Sequence, residues 1–295
     1  MAKAKAIVKR RKAVTNIRKI TRTMQLIATA RFQRAFNRAM ATKPYTESIT
    51  ELVRQVAARC DRGAHRLLQP NESAGRSALL VITSNRGLCG GYNASLLRTA
   101  TAHLRSRPDQ EQVDLYVAGK KGINYFRFLG RPLAATFTQF EDRPQLAQVE
   151  PIADSMIRQY SEGLLRTAHV VYMQFLSTAT QKPEVMQLLP LQAPEPEALP
   201  GAARLAAPAP VEYEYSPPPE ELLAELLPLA VKTRLFQAFT DAAVSEQVAR
   251  MVAMKAATDA ANDMIKTLTR AYNRARQTQI TLELLDIVAG AEALK

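Results

Sequence analysis

The sequence feature that most suggests a chemical function is a group of three glycines in the segment SNRGLCGGYN, residues 84–93. The segment follows the apolar run 77–83, so together they predict a strand that ends in a glycine-rich loop. Loops of this kind hold phosphate groups through their backbone amides, which would indicate a nucleotide-binding enzyme.

The spacing of these glycines matches neither phosphate-binding fingerprint. The Walker pattern requires Lys and then Ser or Thr after its last glycine, but Tyr92 follows Gly91. The dinucleotide fingerprint requires G-x-G-x-x-G, which Gly87, Gly90 and Gly91 do not provide, and the loop GKKG at 119–122 fails likewise. The spacing favours a tight turn in which glycine tolerates a positive φ, with an anion site as the alternative.

The other reactive side chains form no recognisable constellation. The chain has no nucleophile elbow, and we interpret the acidic pair Glu141–Asp142 as part of a solvated loop. Its cysteines and histidines have no ligand-like spacing: Cys60, Cys89, His65, His103 and His169. The sequence therefore predicts no catalytic residue, no cofactor and no metal site.

Positive charge is concentrated at the start of the chain. The net charge is +13, no acidic residue precedes Glu47, and residues 1–43 contain 13 Lys and Arg. Such a segment indicates an acidic partner, which could be nucleic acid, an anionic membrane surface or an acidic protein surface. No uncharged apolar run approaches the length of about 18 residues that a membrane-spanning helix needs.

Both ends of the chain have helical periodicity. Residues 1–43 lack Gly and Pro, and an apolar stripe there has spacings of 3, 4 and 3: Ile17, Ile20, Met24 and Ile27. The pattern continues beyond Pro44, where a bend is an open alternative. The 61 residues 229–289 also lack Gly and Pro, and carry a similar stripe: Ile265, Leu268, Tyr272 and Ala275. Because helices of this length cannot bury a face within a small domain, we expect them to pair as an antiparallel coiled coil.

The middle of the chain has a different pattern. Strands are predicted at 78–83, 113–119, 169–176 and 184–191, and helices at 94–104, 122–129 and 151–167, the last with Pro151 at its first position. This alternation predicts a small, mostly parallel α/β (Rossmann-like) domain. Nine of the 17 prolines lie between residues 190 and 219, which indicates a linker.

Together these patterns predict four parts: an N-terminal shaft helix (1–62), an α/β domain (76–191), a Pro-rich linker (192–219) and a C-terminal shaft helix (220–295). The predicted fold class is α/β plus a long antiparallel two-helix coiled coil formed by the N- and C-terminal segments.

Four segments resemble the γ subunit family of the F-type ATP synthase. They occur in the family's order and cover nearly the whole chain: RKAVTNIRKITRTMQLIATAR (11–31), ITSNRGLCGGYN (82–93), PIADSMIRQYSEGLLRTAHVVY (151–172), and the stretch from SEQVARMVAMKAATDAA through NRARQTQIT (245–281) to GAEAL (290–294). The segment ATARF differs from the family in having Arg31, where a lysine is common.

The resemblance implies a central rotor shaft and not an enzyme. The paired helices would stand within a ring of three α and three β subunits, above a membrane c-ring whose ion-driven rotation they would transmit to the catalytic β subunits. One copy per complex, with the ε subunit as a further partner, would be peripheral on the cytoplasmic face of a bacterial cell (inner) membrane. The family's glycine-rich segment is not a nucleotide site, and no cofactor is implied.

The resemblance also implies two sets of contact residues. Those expected to contact the β subunits are Met24, Arg250, Arg276, Gln277 and Thr281. Those expected to contact the c-ring are Lys43, Pro44, Tyr45, Tyr213 and Tyr215.

Two functions from other classes are rival interpretations. A nucleic-acid-binding coiled coil would use the basic N-terminal helix and bind DNA in a strongly salt-dependent way. Against it, no aromatic residue precedes Phe32 in the basic segment. A nucleotide-binding enzyme would use the glycine loop, and the isolated chain would then bind ATP or NAD.

Overall fold

A computed structural model describes residues 2–57, 59–60, 65–71, 75–106, 112–191 and 217–292, and side chains from residue 5 onward. Its helices are α1 (Ala2–Ala57), α2 (Tyr92–Ser106), α3 (Lys120–Phe128), α4 (Leu146–Ser161) and α5 (Pro219–Glu292), with a short 3-10 turn at Arg66–Leu68. Its strands are β1 (Arg76–Ile82), β2 (Val113–Ala118), β3 (Ala135–Phe137), β4 (Leu165–Phe175) and β5 (Gln181–Leu189).

The chain forms two compact units, and both long helices contribute to each. The helical unit comprises residues 1–30, 88–90 and 249–295, and the sheet unit comprises residues 31–87 and 91–248. No helix in the described ranges combines the length and apolar character needed to cross a bilayer.

The sheet unit has five strands in the order β3-β2-β1-β4-β5. Strands β1 to β4 pair in parallel, and β5 pairs antiparallel with β4. The central strand β1 is buried almost throughout, which explains its continuous apolar sequence. This sheet confirms the predicted mostly parallel α/β domain.

Helices cover both faces of this sheet. One face packs against α4 and against the parts of α1 and α5 within the sheet unit, through residues such as Leu80, Val53 and Leu235. On the other face, α2 contacts β1, β4 and β5, and α3 contacts β2. The sheet unit therefore buries segments of both long helices in its own core.

Several predicted boundaries were wrong. Helix α4 begins at Leu146 with Pro151 inside it, and ends at Ser161 instead of 167. It ends there because Gly163 adopts a φ of +78° and donates from its amide to the Tyr160 carbonyl. Strand β4 then begins at Leu165, within the segment predicted as helix, and the short strand β3 was missed.

In the helical unit, α1 and α5 run antiparallel. Contacts between them include a hydrogen bond from Thr258 Oγ1 to Thr21 Oγ1 at 2.8 Å and one from Arg18 Nη1 to Asn262 Oδ1 at 3.3 Å, and the Arg11 guanidinium lies 5.5 Å from the centre of the Tyr272 ring. Residues that lie nearer to the start of α1 therefore contact residues that lie nearer to the end of α5. This pairing confirms the predicted antiparallel coiled coil.

The prediction of which face of α1 pairs with α5 was wrong. Ile17, Ile20 and Ile27 are 52%, 59% and 47% exposed. The buried face within the helical unit carries three residues at seven-residue intervals: Val14, Thr21 and Ala28. The seam contains polar and small side chains, so its position is not marked by hydrophobic periodicity.

The stripe predicted on α5 lies on a partly buried face of the helix. Ile265, Leu268, Tyr272 and Ala275 are all partly buried, on the face that carries the buried Thr258 and Ala261. The later apolar residues of this helix are more than half exposed instead.

Candidate functional site

Hydrogen bonds within the chain join the two ends of the glycine-rich segment. The Ser84 amide donates to Asn93 Oδ1 at 3.1 Å, and Ser84 Oγ donates to the Arg86 carbonyl at 2.6 Å. Asn93 thereby ties the first residue of the loop to the first turn of α2. Near the middle, Gly90 lies close to the side chain of Ala253 on α5.

The second glycine loop is closed even more tightly. Gly119 has a φ of +96°, and a Cβ there would lie 2.1 Å from the Thr83 carbonyl oxygen. The first three amides of α3 are all bonded to the chain: Lys120 N to Asn85 Oδ1, Lys121 N to the Ser84 carbonyl, and Gly122 N to Thr83 Oγ1. Because a phosphate loop needs such amides free, this helix start is a structural junction, as the favoured interpretation of the spacing predicted.

The acidic pair Glu141–Asp142 is only partly the solvated loop of the sequence prediction. Glu141 is exposed, but the side chain of Asp142 is only 28% exposed and forms an ion pair with Arg31 on α1. Its other oxygen accepts a hydrogen bond from Gln247 Nε2 on α5 at 2.8 Å. No local pattern predicts this link, because its residues are 105 or more positions apart in the sequence.

Two histidines that are distant in the sequence are adjacent in the sheet unit. The rings of His103 on α2 and His169 on β4 have centroids 5.0 Å apart. Among the described residues, no three His, Cys, Asp or Glu side chains converge as ligands of a metal ion.

The residues expected to contact the β subunits all lie in the helical unit. Arg276, Gln277 and Thr281 are exposed, and the Thr281 hydroxyl donates to the backbone carbonyl of Gln277 at 3.0 Å. Met24 is partly buried, and Arg250 is 7% exposed. Arg276 also lines a shallow groove of about 380 Å³ between the first turns of α1 and the last part of α5.

Only three of the five residues expected to contact the c-ring lie within the described part of the chain. Lys43, Pro44 and Tyr45 are exposed on α1 within the sheet unit, and Lys43 Nζ lies 3.7 Å from Glu47 Oε1. Pro44 lies inside α1, which is one continuous helix. Tyr213 and Tyr215 lie outside the described residues.

A partly buried polar cluster lies near Lys43. Burial raises the pKa of Asp241 on α5 to about 6, while a hydrogen bond from Gln237 and the charge of Lys43 act in the opposite direction. The carboxylate of Glu184 accepts a hydrogen bond from Tyr172 at 3.0 Å, and its charge also raises the pKa of Asp241. Burial likewise raises the pKa of Tyr172 and lowers the pKa of Arg234.

The helical unit presents an apolar outer surface. On α1 this surface includes Ile17, Ile20, Leu26 and Ile27. On α5 it includes six large residues that are 53% to 69% exposed: Ile280, Leu282, Leu284, Leu285, Ile287 and Val288. Large apolar side chains exposed in this number favour a role in protein interaction.

Comparisons with known proteins agree along the whole chain. The family model described as ATP synthase matches residues 3–294. An ATP synthase gamma chain from Rhodopirellula baltica is 47% identical, with all of both chains covered. One from Frankia casuarinae is 40% identical, with 97% of this chain and 96% of the relative covered.

Solved structures agree on the fold. A chain in a structure of the Euglena gracilis mitochondrial ATP synthase, in rotational state 3, superposes with a TM-score of 0.68 at 16% identity, covering 99% of this chain and 95% of that one. A chain of the Tetrahymena thermophila mitochondrial ATP synthase, from its central stalk and c-ring, gives a TM-score of 0.58 at 18% identity, with 81% and 99% covered.

Proposed function

This chain belongs to the ATP synthase gamma-chain family, a family of central-stalk rotor subunits, and we propose that it turns inside a ring of ATP synthase α and β subunits. Rotation of a membrane c-ring, driven by ion flow, would reach the catalytic β subunits through this chain. One copy would serve each complex, with the ε subunit as a further partner. The family match gives the nucleic-acid alternative no support.

The observation that carries this proposal is the apolar outer surface of the helical unit. A coiled coil that works in water keeps its apolar residues in the seam and its charged residues outside. Here polar pairs such as Thr21–Thr258 occupy the seam, whereas Ile20 and Leu284 are about 60% exposed. A surface of this kind is suited to contact with a surrounding ring of other subunits.

We further propose that the chain performs no catalysis itself. The first amides of α3, after the loop at 119–122, are occupied by the chain's own hydrogen bonds, which supports the assignment of nucleotide chemistry to the β subunits. The complex would lie on the cytoplasmic face of a bacterial membrane, with this chain as a peripheral component.

The contact residues keep their expected roles as part of the proposal. Arg276 and Gln277 would bind a loop of a β subunit, where a guanidinium can pair with a carboxylate through two hydrogen bonds. Met24, Arg250 and Thr281 would contribute to the same bearing. The exposed Lys43, Pro44 and Tyr45, with Tyr213 and Tyr215, would contact the c-ring.

The basic start of α1 fits the same arrangement. Lys9, Arg10 and Lys12 are exposed in the helical unit and would face acidic loops of the β subunits. Exposed ion pairs contribute only about 0–1 kcal/mol each, which suits a bearing surface that must release at every step.

The four-part division remains part of the proposal. Segments 1–62 and 220–295 would form the shaft, segment 76–191 the α/β domain near the c-ring, and segment 192–219 the linker between them.

Reconstitution tests the proposed function. The chain would be mixed with the α and β subunits of its own organism, and ATP hydrolysis and co-elution would be measured. We expect a complex with three α, three β and one copy of this chain, and ATP hydrolysis that depends on it. A chain that elutes alone, and leaves hydrolysis by the other subunits unchanged, would show that the proposal is wrong.

Variants then test the bearing residues. Replacing Arg276 and Gln277 by Ala should weaken the dependence of hydrolysis on the chain and leave its own folding unchanged, since both side chains are exposed. Lys266→Ala is the matched control, because Lys266 is exposed on the same helix and pairs only with Asp263 among the described ion pairs. Equal effects of the variant and the control would contradict the assigned roles.

A further inference from the structure

Asp142 contacts both long helices from a loop of the sheet unit. One carboxylate oxygen pairs with the Arg31 guanidinium on α1, and the other accepts a hydrogen bond from Gln247 on α5 at 2.8 Å. We call Arg31, Asp142 and Gln247 the two-helix clasp. All three residues lie within the sheet unit.

The clasp lies at a defined position along each helix. Arg31 is the first residue of the sheet unit on α1, and Gln247 is the last but one on α5. Beyond these residues, both helices continue into the helical unit. The clasp therefore lies at the ends of the two helix segments that belong to the sheet unit.

Neighbouring contacts hold the same segments by other means. Phe175 at the end of β4 packs against Phe32 and Phe36 of α1, in a cluster that includes Val244 of α5. Apolar packing of this kind is non-directional, so it resists separation more than sliding.

The clasp resists sliding and rotation of the helices, which apolar packing alone resists only weakly. Hydrogen bonds weaken steeply when their geometry is distorted, and bonds that involve a charged group are stronger than neutral ones. Gln247 is 1% exposed, so its amide is held in place by its surroundings. A helix that rotates or slides against the loop must break a bond to Asp142.

We propose that Asp142 is a positioning residue for torque transmission, which fixes both shaft helices to the α/β domain so that rotation of the domain turns both helices together. The proposal rests on the proposed rotor function. It assigns a mechanical role to a residue of the loop between β3 and α4.

The test uses the complete ATP synthase reconstituted into vesicles with this chain. The measured quantity is the initial rate of ATP-driven ion pumping divided by the rate of ATP hydrolysis. For Asp142→Ala we expect this ratio to fall about threefold to tenfold, the factor that corresponds to the loss of one or two net hydrogen bonds. Hydrolysis should persist, because the bearing residues are unchanged.

Two variants separate this role from a merely structural one. Asp142→Asn keeps the shape of the side chain and the assembly of the complex, but removes the charge, so its ratio should lie between those of the alanine variant and the unchanged chain. Glu141→Ala is the matched control, because this neighbouring carboxylate is exposed. A structural role would lower the melting temperature of the complex and leave the ratio unchanged.

A charge exchange gives the decisive comparison. Arg31→Asp combined with Asp142→Arg places the guanidinium on the loop, where it can donate both to position 31 and to Gln247 Oε1, a buried oxygen without a hydrogen-bond partner among the described residues. We expect each single substitution to lower the ratio and the double exchange to restore most of it.

The outcomes for the clasp and for the proposed function are distinct. Coupled pumping by the unchanged chain, together with undiminished ratios in both Asp142 variants, would overturn the clasp alone. Hydrolysis without any pumping by the unchanged chain would overturn the rotor function on which the clasp rests.

Discussion

The stability of the sheet unit should depend on pH through one partly buried carboxyl group. Asp241 lies on α5 within that unit, and burial raises its pKa from an ordinary 3.8 to about 6. Gln237 donates to its Oδ1 at 2.8 Å, and the charges of Lys43 and Glu184 act on it in opposite directions.

The sign of the effect follows from proton binding. Between about pH 4 and pH 6 the folded chain holds a proton on Asp241 that the unfolded chain has released. The free energy of unfolding therefore falls as pH rises through this window, and the contribution present below it is lost above pH 6. A shift of about two units corresponds to about 3 kcal/mol.

Asp241→Asn removes this titration. The amide oxygen can still accept the hydrogen bond from Gln237, so the variant should be more stable than the parent chain at pH 7, by up to about 3 kcal/mol, and nearly equal to it at pH 4. Lys43→Ala should have the opposite effect at pH 7, because it removes the cation that favours the ionised carboxylate.

Urea unfolding of the full chain, followed by far-ultraviolet circular dichroism at pH 4 and pH 7, measures these differences. Asp259→Asn is the control, since Asp259 is exposed on the same helix. If Asp241→Asn and Asp259→Asn gave the same change between the two pH values, the argument from burial would be refuted.

Three further predictions concern turns and the helix seam. Gly119→Ala should destabilise the chain by about 3 kcal/mol or more in urea unfolding, because of its positive φ and the backbone oxygen 2.1 Å from the added carbon, whereas Gly91→Ala, which has open space, should have little effect. Thr258→Val should cost about 1 kcal/mol, because it removes the hydroxyl that bonds across the seam, and a double-mutant cycle with the partner threonine should show the coupling. Ala28→Leu should overpack a fully buried position and lower the melting temperature by an amount that corresponds to about 1–3 kcal/mol. Ile20→Ala, at an exposed position, should leave the melting temperature of the isolated chain nearly unchanged and weaken only its assembly with α and β subunits.

Much of the fold could be predicted because its determinants are local. The absence of Gly and Pro over 229–289 indicated a long helix, and the apolar run 77–83 indicated a buried strand, which the structure has at Arg76–Ile82. The end of α4 was missed because a single residue, Gly163, decides it, and strand β3 was missed because three residues carry too little periodicity.

The links between distant segments could not be predicted in this way. The clasp at Asp142 and the adjacent rings of His103 and His169 depend on which loop and strand the fold brings together. A single acidic residue in the segment QFEDRP carries no local sign of such a contact. The contact residues at 276 and 277 came from the family resemblance, and their exposure is compatible with any solvated helix face.

The error on α1 has a physical cause that bears on the function. Hydrophobic periodicity identifies the face of a helix that avoids water, and in a coiled coil that stands alone this face is the seam. Here Thr21 and Ala28 occupy the seam, while Ile17 and Ile20 are exposed. Polar pairs such as Arg18–Asn262 and Thr21–Thr258 fix the register of the two helices, and that leaves the apolar residues for the outer surface. The stripe that was predicted to join the helices is therefore the surface that we propose to turn against the surrounding subunits.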